Sequence, residues 1–475
     1  MAPTDFPRPI GTHERFSRLL TATAVGVYLL LIVGATTSLT DAAAACSTWP
    51  ACSPPTAPGQ TELAVAWGHR LAAVVVGLLV AASTAAALLG RASGRVRAAL
   101  LSATGLYALQ VGVGAVTATL GPDAVAPGLH LALGVVIFAG VVGALAWDLE
   151  RATGTDDRID RPAEPIAGPD EPTGTAADAG SVDRSAVGRA RRTAWAYFKM
   201  TKPRLMWLLC LVAAAGMALA AGPALEARTI VATLGGGVLA IGASGTFNHV
   251  LERDVDRRMS RTADRPLATE LIPVRNALLF GLALAAASMT AFLTVNALAA
   301  ALGLAAILFY SVVYTLLLKP HTVQNTVLGG AAGALPALIG WAAVTNSIGA
   351  PGLALAGVIF LWTPAHFYNL ALAYKEDYAR GGFPMMPVVR GETVTRKHIL
   401  YYIGATLLGT IALAWITDLG TLYAATVVVF GAIFLLAAVS LHFEQSEAAA
   451  FRSFHASNAF LGAVLVAVLI DALVL

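Results

Sequence analysis

Apolar residues run unbroken for about 20 positions at a time, separated by short polar breaks. The runs fall near 17–39, 63–89, 98–119, 128–148, 204–221, 229–250, 275–293, 297–318, 325–345, 352–373, 399–417, 421–441 and 454–474. A bilayer core of ~30 Å takes about 20 apolar residues per helix, so the pattern predicts thirteen membrane-spanning helices. The strands of an outer-membrane barrel would alternate apolar and polar at every second position, and these runs do not. The first run is reached through a polar stretch ending at Ser17-Arg18 and continues as a full span, which predicts no cleavable signal peptide.

Composition agrees: 57% of the 475 residues are hydrophobic and 12% charged, with mean hydropathy +0.71, which excludes a soluble domain. The net charge of +3 is spread thinly, so the basic residues give no footprint for nucleic acid. Alternate polar segments hold most of the Lys and Arg: Arg8 to Arg18, Arg91 to Arg97, Lys199 to Arg204, Arg253 to Arg275, Lys319, and Lys375 to Lys397. The positive-inside rule then predicts a multi-pass cell-membrane protein with a cytoplasmic N-terminus and an outside C-terminus. From Glu150 to Thr193 the apolar pattern gives way to Gly, Pro, Ala, Asp and Arg, the composition of a flexible linker. The predicted architecture is all-α: a four-helix membrane domain at 1–149, a linker at 150–193, and a nine-helix bundle at 194–475.

Two polar loops on the predicted cytoplasmic side carry the chemistry. In the first, NHVLERDVDRRMSRTADRPL at 248–267, Asn248, Glu252 and Asp256 lie four residues apart, so on a helix each is rotated by only about 40° from the last. Three oxygen donors on one face suit Mg²⁺, which is usually completed by substrate phosphates. Arg257, Arg261 and Arg265 nearby, with Lys202, Arg204 and Lys319 on the same side, supply charge for a diphosphate. The second loop, YKEDYARGGFPMMPVV at 374–389, offers Asp377 as a further ligand and Lys375 as a phosphate contact. One acidic triplet reads equally well as a solvated loop; two carboxylate loops on one side favour a pair of cations gripping one diphosphate. His366 follows Pro364 inside an apolar run, where proline should kink the helix towards a cavity, and Asn325 opens another run as a cap or polar contact.

These pieces, with TKPR at 201–204, KPHTVQNTVLGGAAGALPALIGW at 319–341 and WTPAHFYNLAL at 362–372, make residues 195–475 resemble the intramembrane prenyltransferases of the UbiA superfamily. Within it they resemble specifically the protoheme IX farnesyltransferases, or haem O synthases. Asn248, Glu252 and Asp256 match the superfamily's Asn-x3-Asp-x3-Asp motif, with Glu252 replacing an Asp; Gly381 stands where a second acid would follow Asp377. The resemblance implies transfer of farnesyl from farnesyl diphosphate to a vinyl group of haem B inside the membrane lipid, with Mg²⁺ as cofactor. It makes Asn248, Asp256 and Asp377 catalytic and gives His366 a haem or substrate contact. The alternatives are another acceptor, such as an aromatic acid, quinone precursor or chlorophyll-like ring, and a non-enzymatic haem-binding membrane protein.

In the four-helix part, His69 and His130 sit in spans running the same way and fall at matched depth, as axial ligands of a haem would. Cys46 and Cys52 share an outside loop, where a disulfide, two thiols or a metal pair would each fit and an oxidising setting favours the disulfide. CSTWPAC, the Gly-His-Arg at 68–70, QVGVGAVTATLGP and His130 resemble half of a haem A synthase, although Ala66 stands where that family commonly has an acid. The resemblance implies a haem-binding module that works beside haem A synthase or terminal oxidase assembly.

Overall fold

The computed structural model describes residues 11–39, 46, 48–57, 59–90, 92–120, 126–154, 185–417 and 419–474. Most of the segment read as linker, 155–184, lies outside them. Among the described residues, thirteen helices are long and apolar enough to cross a membrane, as the hydrophobic pattern predicts. Helices result because a bilayer offers backbone N–H and C=O groups no partners other than those within the segment. Large apolar side chains such as Leu78 and Val231, 67% and 71% exposed, face outward where lipid covers them.

The helices are α1 Thr12–Leu39, α2 Thr61–Leu89, α3 Gly94–Leu120, α4 Ala126–Thr153, α5 Ala186–Met200, α6 Pro203–Ala221, α7 Ala227–Leu251, α8 Arg253–Asp256, α9 Val274–Leu293 and α10 Ala297–Leu308. The last runs on as a π-helix, Phe309–Leu318, into the short α11, Lys319–His321. Then come α12 Asn325–Thr345, α13 Ala350–Ala373, α14 Lys375–Arg380, α15 Met386–Val389, α16 Glu392–Ile416, α17 Thr421–Glu444 and α18 Glu447–Leu473. Ends are set by local chemistry. Ser185 accepts the Gly188 N–H to start α5, so Ala186 to Thr193 are helical where the composition suggests linker. Asn296 caps α10 through the Ala299 N–H and also donates to the Ala342 carbonyl. Pro364, expected to kink its helix, is carried inside a continuous α13.

The chain packs as two compact units, Met1–Asp156 with Arg396–Phe460, and Asp157–Thr395 with Leu461–Leu475. The sequence reading divides it differently, placing every helix after 194 in one bundle. In the first unit Tyr28 on α1 bonds Thr410 on α16 at 2.7 Å, and the Thr410 carbonyl accepts from Tyr423 on α17. In the second, α7, α9, α10 and α12 close around Ala243, Phe292, Ala299 and Ile339. There α6 and α12 touch backbone to backbone: a side chain at Gly340 would overlap the Ala213 carbonyl, and one at Gly216 the Ala337 carbonyl.

Candidate functional site

Helical hydrogen bonds continue across the joint between α7 and α8: the Glu252 N–H donates to the Asn248 carbonyl at 2.9 Å and the Asp256 N–H to the Glu252 carbonyl at 2.8 Å. Asn248, Glu252 and Asp256 therefore share one face, and all three are buried. Cations close over them. Lys202 donates to the Asn248 side-chain oxygen and, at 3.0 Å, to the Tyr310 hydroxyl. Lys319 pairs with Glu252, and its ammonium stands 4.3 Å from the centre of the Phe383 ring. Arg265 places one nitrogen 2.8 Å from both Asp256 oxygens and 3.8 Å from Glu252.

Lys202 is held in place by its backbone. It adopts the left-handed conformation, φ 54°, just before Pro203 at the start of α6. Its turn lies against α7 at Gly245, where a methyl group would stand 2.8 Å from the Met200 carbonyl oxygen. Burial lowers the Lys202 ammonium to about 8, helped by the positive charge of Arg265 and opposed by Glu252. For Glu252 burial alone would raise the carboxyl, but Lys319 and Lys202 outweigh it and leave it below the usual range. Asp256 lies on the other side of that balance: burial raises it in spite of Arg265.

The second loop joins the first through Asp377. Its oxygens accept from the Ser260 N–H at 2.8 Å, the Ser260 hydroxyl at 2.6 Å and the Arg261 N–H at 3.2 Å, and it pairs with Arg380. Burial raises this carboxyl, and the four donors more than reverse that. Beneath, Met259, Tyr378, Phe383 and Met385 form a small core common to both loops. Asp377 is thus the clamp between the loops, and a cation there would have to displace Arg380.

Other sequence candidates divide. Arg261 lies over the Tyr374 and Tyr378 rings at 4.8 and 5.3 Å. Arg257 is turned to the Ala268 carbonyl and Glu270, and Lys375 to Glu392, so neither joins the carboxylate cluster. Arg204 is exposed on the first turn of α6. Asn325 is fully buried and donates to the Thr322 carbonyl at 2.7 Å, fixing the turn that follows Lys319. His366 is buried and stacked on Trp362 at 4.3 Å. Sequence reasoning missed Tyr310, Thr315, which accepts from Asn248 at 3.2 Å, and Ser260. Tyr310 and Tyr314, four apart in an apolar span, are the signal that was available.

From Lys202 and Tyr310 an apolar cavity leads away between α6, α7, α10 and α12, past Gly245, Ile241 and Gly237 to Thr233 and Phe292. A charged mouth on an apolar channel suits an amphiphile with an anionic head. In the other unit, the His69 and His130 rings face each other with centroids 6.4 Å apart. Cys46 and Cys52 are joined as a disulfide, and Arg70 donates to the Cys46, Thr48 and Ala51 carbonyls of their loop. Among the described residues, no group of three or more His, Cys, Asp and Glu side chains is arranged to hold a metal by itself.

Residues 208–464, more than half of the chain, match the UbiA prenyltransferase family. The protoheme IX farnesyltransferase of Haloarcula marismortui is 63% identical, covering 97% of this chain and 99% of its own length. That of Halobacterium salinarum is 58% identical over 98% of this chain and 99% of its own. A solved structure of digeranylgeranylglyceryl phosphate synthase, 16% identical, shares the fold with a TM-score of 0.50, covering 60% of this chain and all of that one. The chain belongs to the UbiA prenyltransferase family.

Proposed function

We propose that this multi-pass membrane protein transfers farnesyl from farnesyl diphosphate to a vinyl group of haem B, making haem O. The observation that carries this reading is the meeting of Lys202, Lys319 and Arg265 with Asn248, Glu252 and Asp256 at the mouth of an apolar cavity. Relatives 58–63% identical over nearly the whole chain carry the farnesyltransferase name.

The donor set fits Mg²⁺. Asn248, Glu252 and Asp256 share one buried face with oxygen atoms only as donors, and they would hold the ion. Bound there with the diphosphate, Mg²⁺ would supply neutralisation of the leaving group. Lys202, Lys319 and Arg265 would hold the phosphate oxygens and orient the allylic carbon over the cavity. The C–O bond breaks with its electron pair leaving on diphosphate. The vinyl π-electrons then bond to farnesyl C1, and the new cation beside the porphyrin takes hydroxide from water, releasing a proton. Tyr310 and the apolar lining keep water out until that bond has formed. No side-chain base is required. Asp377 positions the first loop by holding Ser260 and Arg261.

The distribution of Lys and Arg supports a cytoplasmic site, with the N-terminus inside and the C-terminus outside. For the N-terminal unit the specific observation is the His69–His130 pair. Their ring centroids lie 6.4 Å apart, and the two imidazoles would hold a haem iron as its ligands. Both Nδ1 atoms are buried without a hydrogen-bond partner. This unit would hold haem and pass it to or from the transferase, beside haem A synthase or terminal oxidase assembly.

The test is to incubate purified protein with haem B, farnesyl diphosphate and Mg²⁺ and to weigh the product. Mg²⁺-dependent haem O is expected. No prenylated haem overturns the assignment, and so does prenyl transfer to an aromatic acid supplied in place of haem B.

A further inference from the structure

We infer that Phe292, with Thr233, forms the floor of the cavity and sets the length of isoprenoid this chain accepts. The inference rests on the allylic-diphosphate reading above. The cavity has a direction: Lys202, Tyr310 and Gly245 stand at its charged mouth, and Thr233 and Phe292 line its far part. On α7 the lining residues run from Gly245 to Thr233, twelve residues, or about 18 Å at ~1.5 Å per residue. Three isoprene units, twelve main-chain carbons joined by bonds of about 1.5 Å, extend to about 15 Å, and a fourth would need about 20 Å. The Phe292 ring lies against Gly236, nine residues or about 13.5 Å along α7 from Gly245, so the stops at Phe292 and Thr233 bracket the length of a fifteen-carbon tail and fall short of a twenty-carbon one.

Phe292 is built in as a stop. Its side chain is fully buried, and its ring is wedged where two glycines leave room: a methyl group at Gly236 or Gly303 would stand 3.0 or 2.5 Å from ring carbons. The ring cannot swing aside without displacing α7 or α10. Higher in the channel, Gly237 lines the cavity with open space where its side chain would be. A side chain there fills the channel about 12 Å below Gly245, without a clash, and removes room for roughly one isoprene unit.

The full-length protein, Gly237→Leu and Phe292→Ala are assayed with haem B, Mg²⁺ and geranyl, farnesyl or geranylgeranyl diphosphate. We expect Gly237→Leu to raise the geranyl-to-farnesyl ratio of kcat/KM at least tenfold, and Phe292→Ala to raise the geranylgeranyl-to-farnesyl ratio as much. Unchanged ratios in an active Gly237→Leu protein overturn the inference, even if Phe292→Ala fails to fold. Transfer by the wild type is scored separately, because its absence sinks the assigned reaction. For that case, a farnesyl diphosphate analogue with a terminal diazirine, bound with Mg²⁺ and no acceptor, is photolysed. Label on the peptide carrying Phe292 supports the floor, and label confined to other helices refutes it.

Discussion

Arg265 holds both oxygens of Asp256 at 2.8 Å through a single guanidinium nitrogen, which also lies 3.8 Å from Glu252. Three cations, Lys202, Lys319 and Arg265, stand among two buried carboxylates, Glu252 and Asp256, so the side chains of the cluster carry one positive charge in excess. On the proposed reading Asn248, Glu252 and Asp256 would hold Mg²⁺, and Lys202, Lys319 and Arg265 would hold the diphosphate.

The Lys202 ammonium, lowered to about 8 chiefly by burial, predicts an alkaline limb. A lysine depressed in this way is charged below that pH and neutral above it. The kcat/KM for the diphosphate donor should therefore fall about tenfold per pH unit above roughly 8. Lys202→Arg keeps its charge and should lose the limb, whatever its overall rate. A pH profile identical in the two proteins would show that Lys202 does not hold the donor.

Asp377→Asn should loosen the two loops from each other. Four donors converge on this carboxylate, and weakening them is expected to cost about 2 kcal/mol locally. Hydrogen exchange at 257–265 should speed up at least tenfold while the spans keep their protection. An unchanged exchange pattern with lost activity would instead make Asp377 a direct ligand.

Gly340→Ala forces a methyl group into the Ala213 carbonyl where α6 and α12 touch. Overpacking of this kind costs about 1–3 kcal/mol. We expect a Tm in detergent several degrees below that of the wild type, measured by thermal unfolding. An equal Tm would mean that the two helices are not in backbone contact.

His69→Ala combined with His130→Ala should abolish any low-spin haem spectrum of the purified protein while farnesyl transfer continues. A retained spectrum would rule out the pair as axial ligands.

How much of this was legible in the sequence follows from the range of each interaction. The spans and the Asn248, Glu252, Asp256 face were readable because helical periodicity is local, and the backbone bonds through the α7–α8 joint preserve it. Lys202 and Lys319 could be assigned to one side by alternation of the spans, though not to their partners. The Ser260–Asp377 clamp was hidden, since it joins positions 117 apart across two loops without period. Tyr310 looked like packing in an apolar run. Arg257 and Asn325 were read towards substrate, whereas nearby carbonyls take their donors. The packing of α16 and α17 with α1 is equally non-local: Tyr28 and Thr410 are 382 residues apart.

The most direct test of the central claim is equilibrium binding of farnesyl diphosphate to the wild type and to a Glu252→Gln, Asp256→Asn double variant, across a Mg²⁺ titration. The wild type should bind only with Mg²⁺, and the variant at least a hundredfold more weakly while its spans stay folded. Equal, Mg²⁺-independent affinity in both proteins would contradict the account.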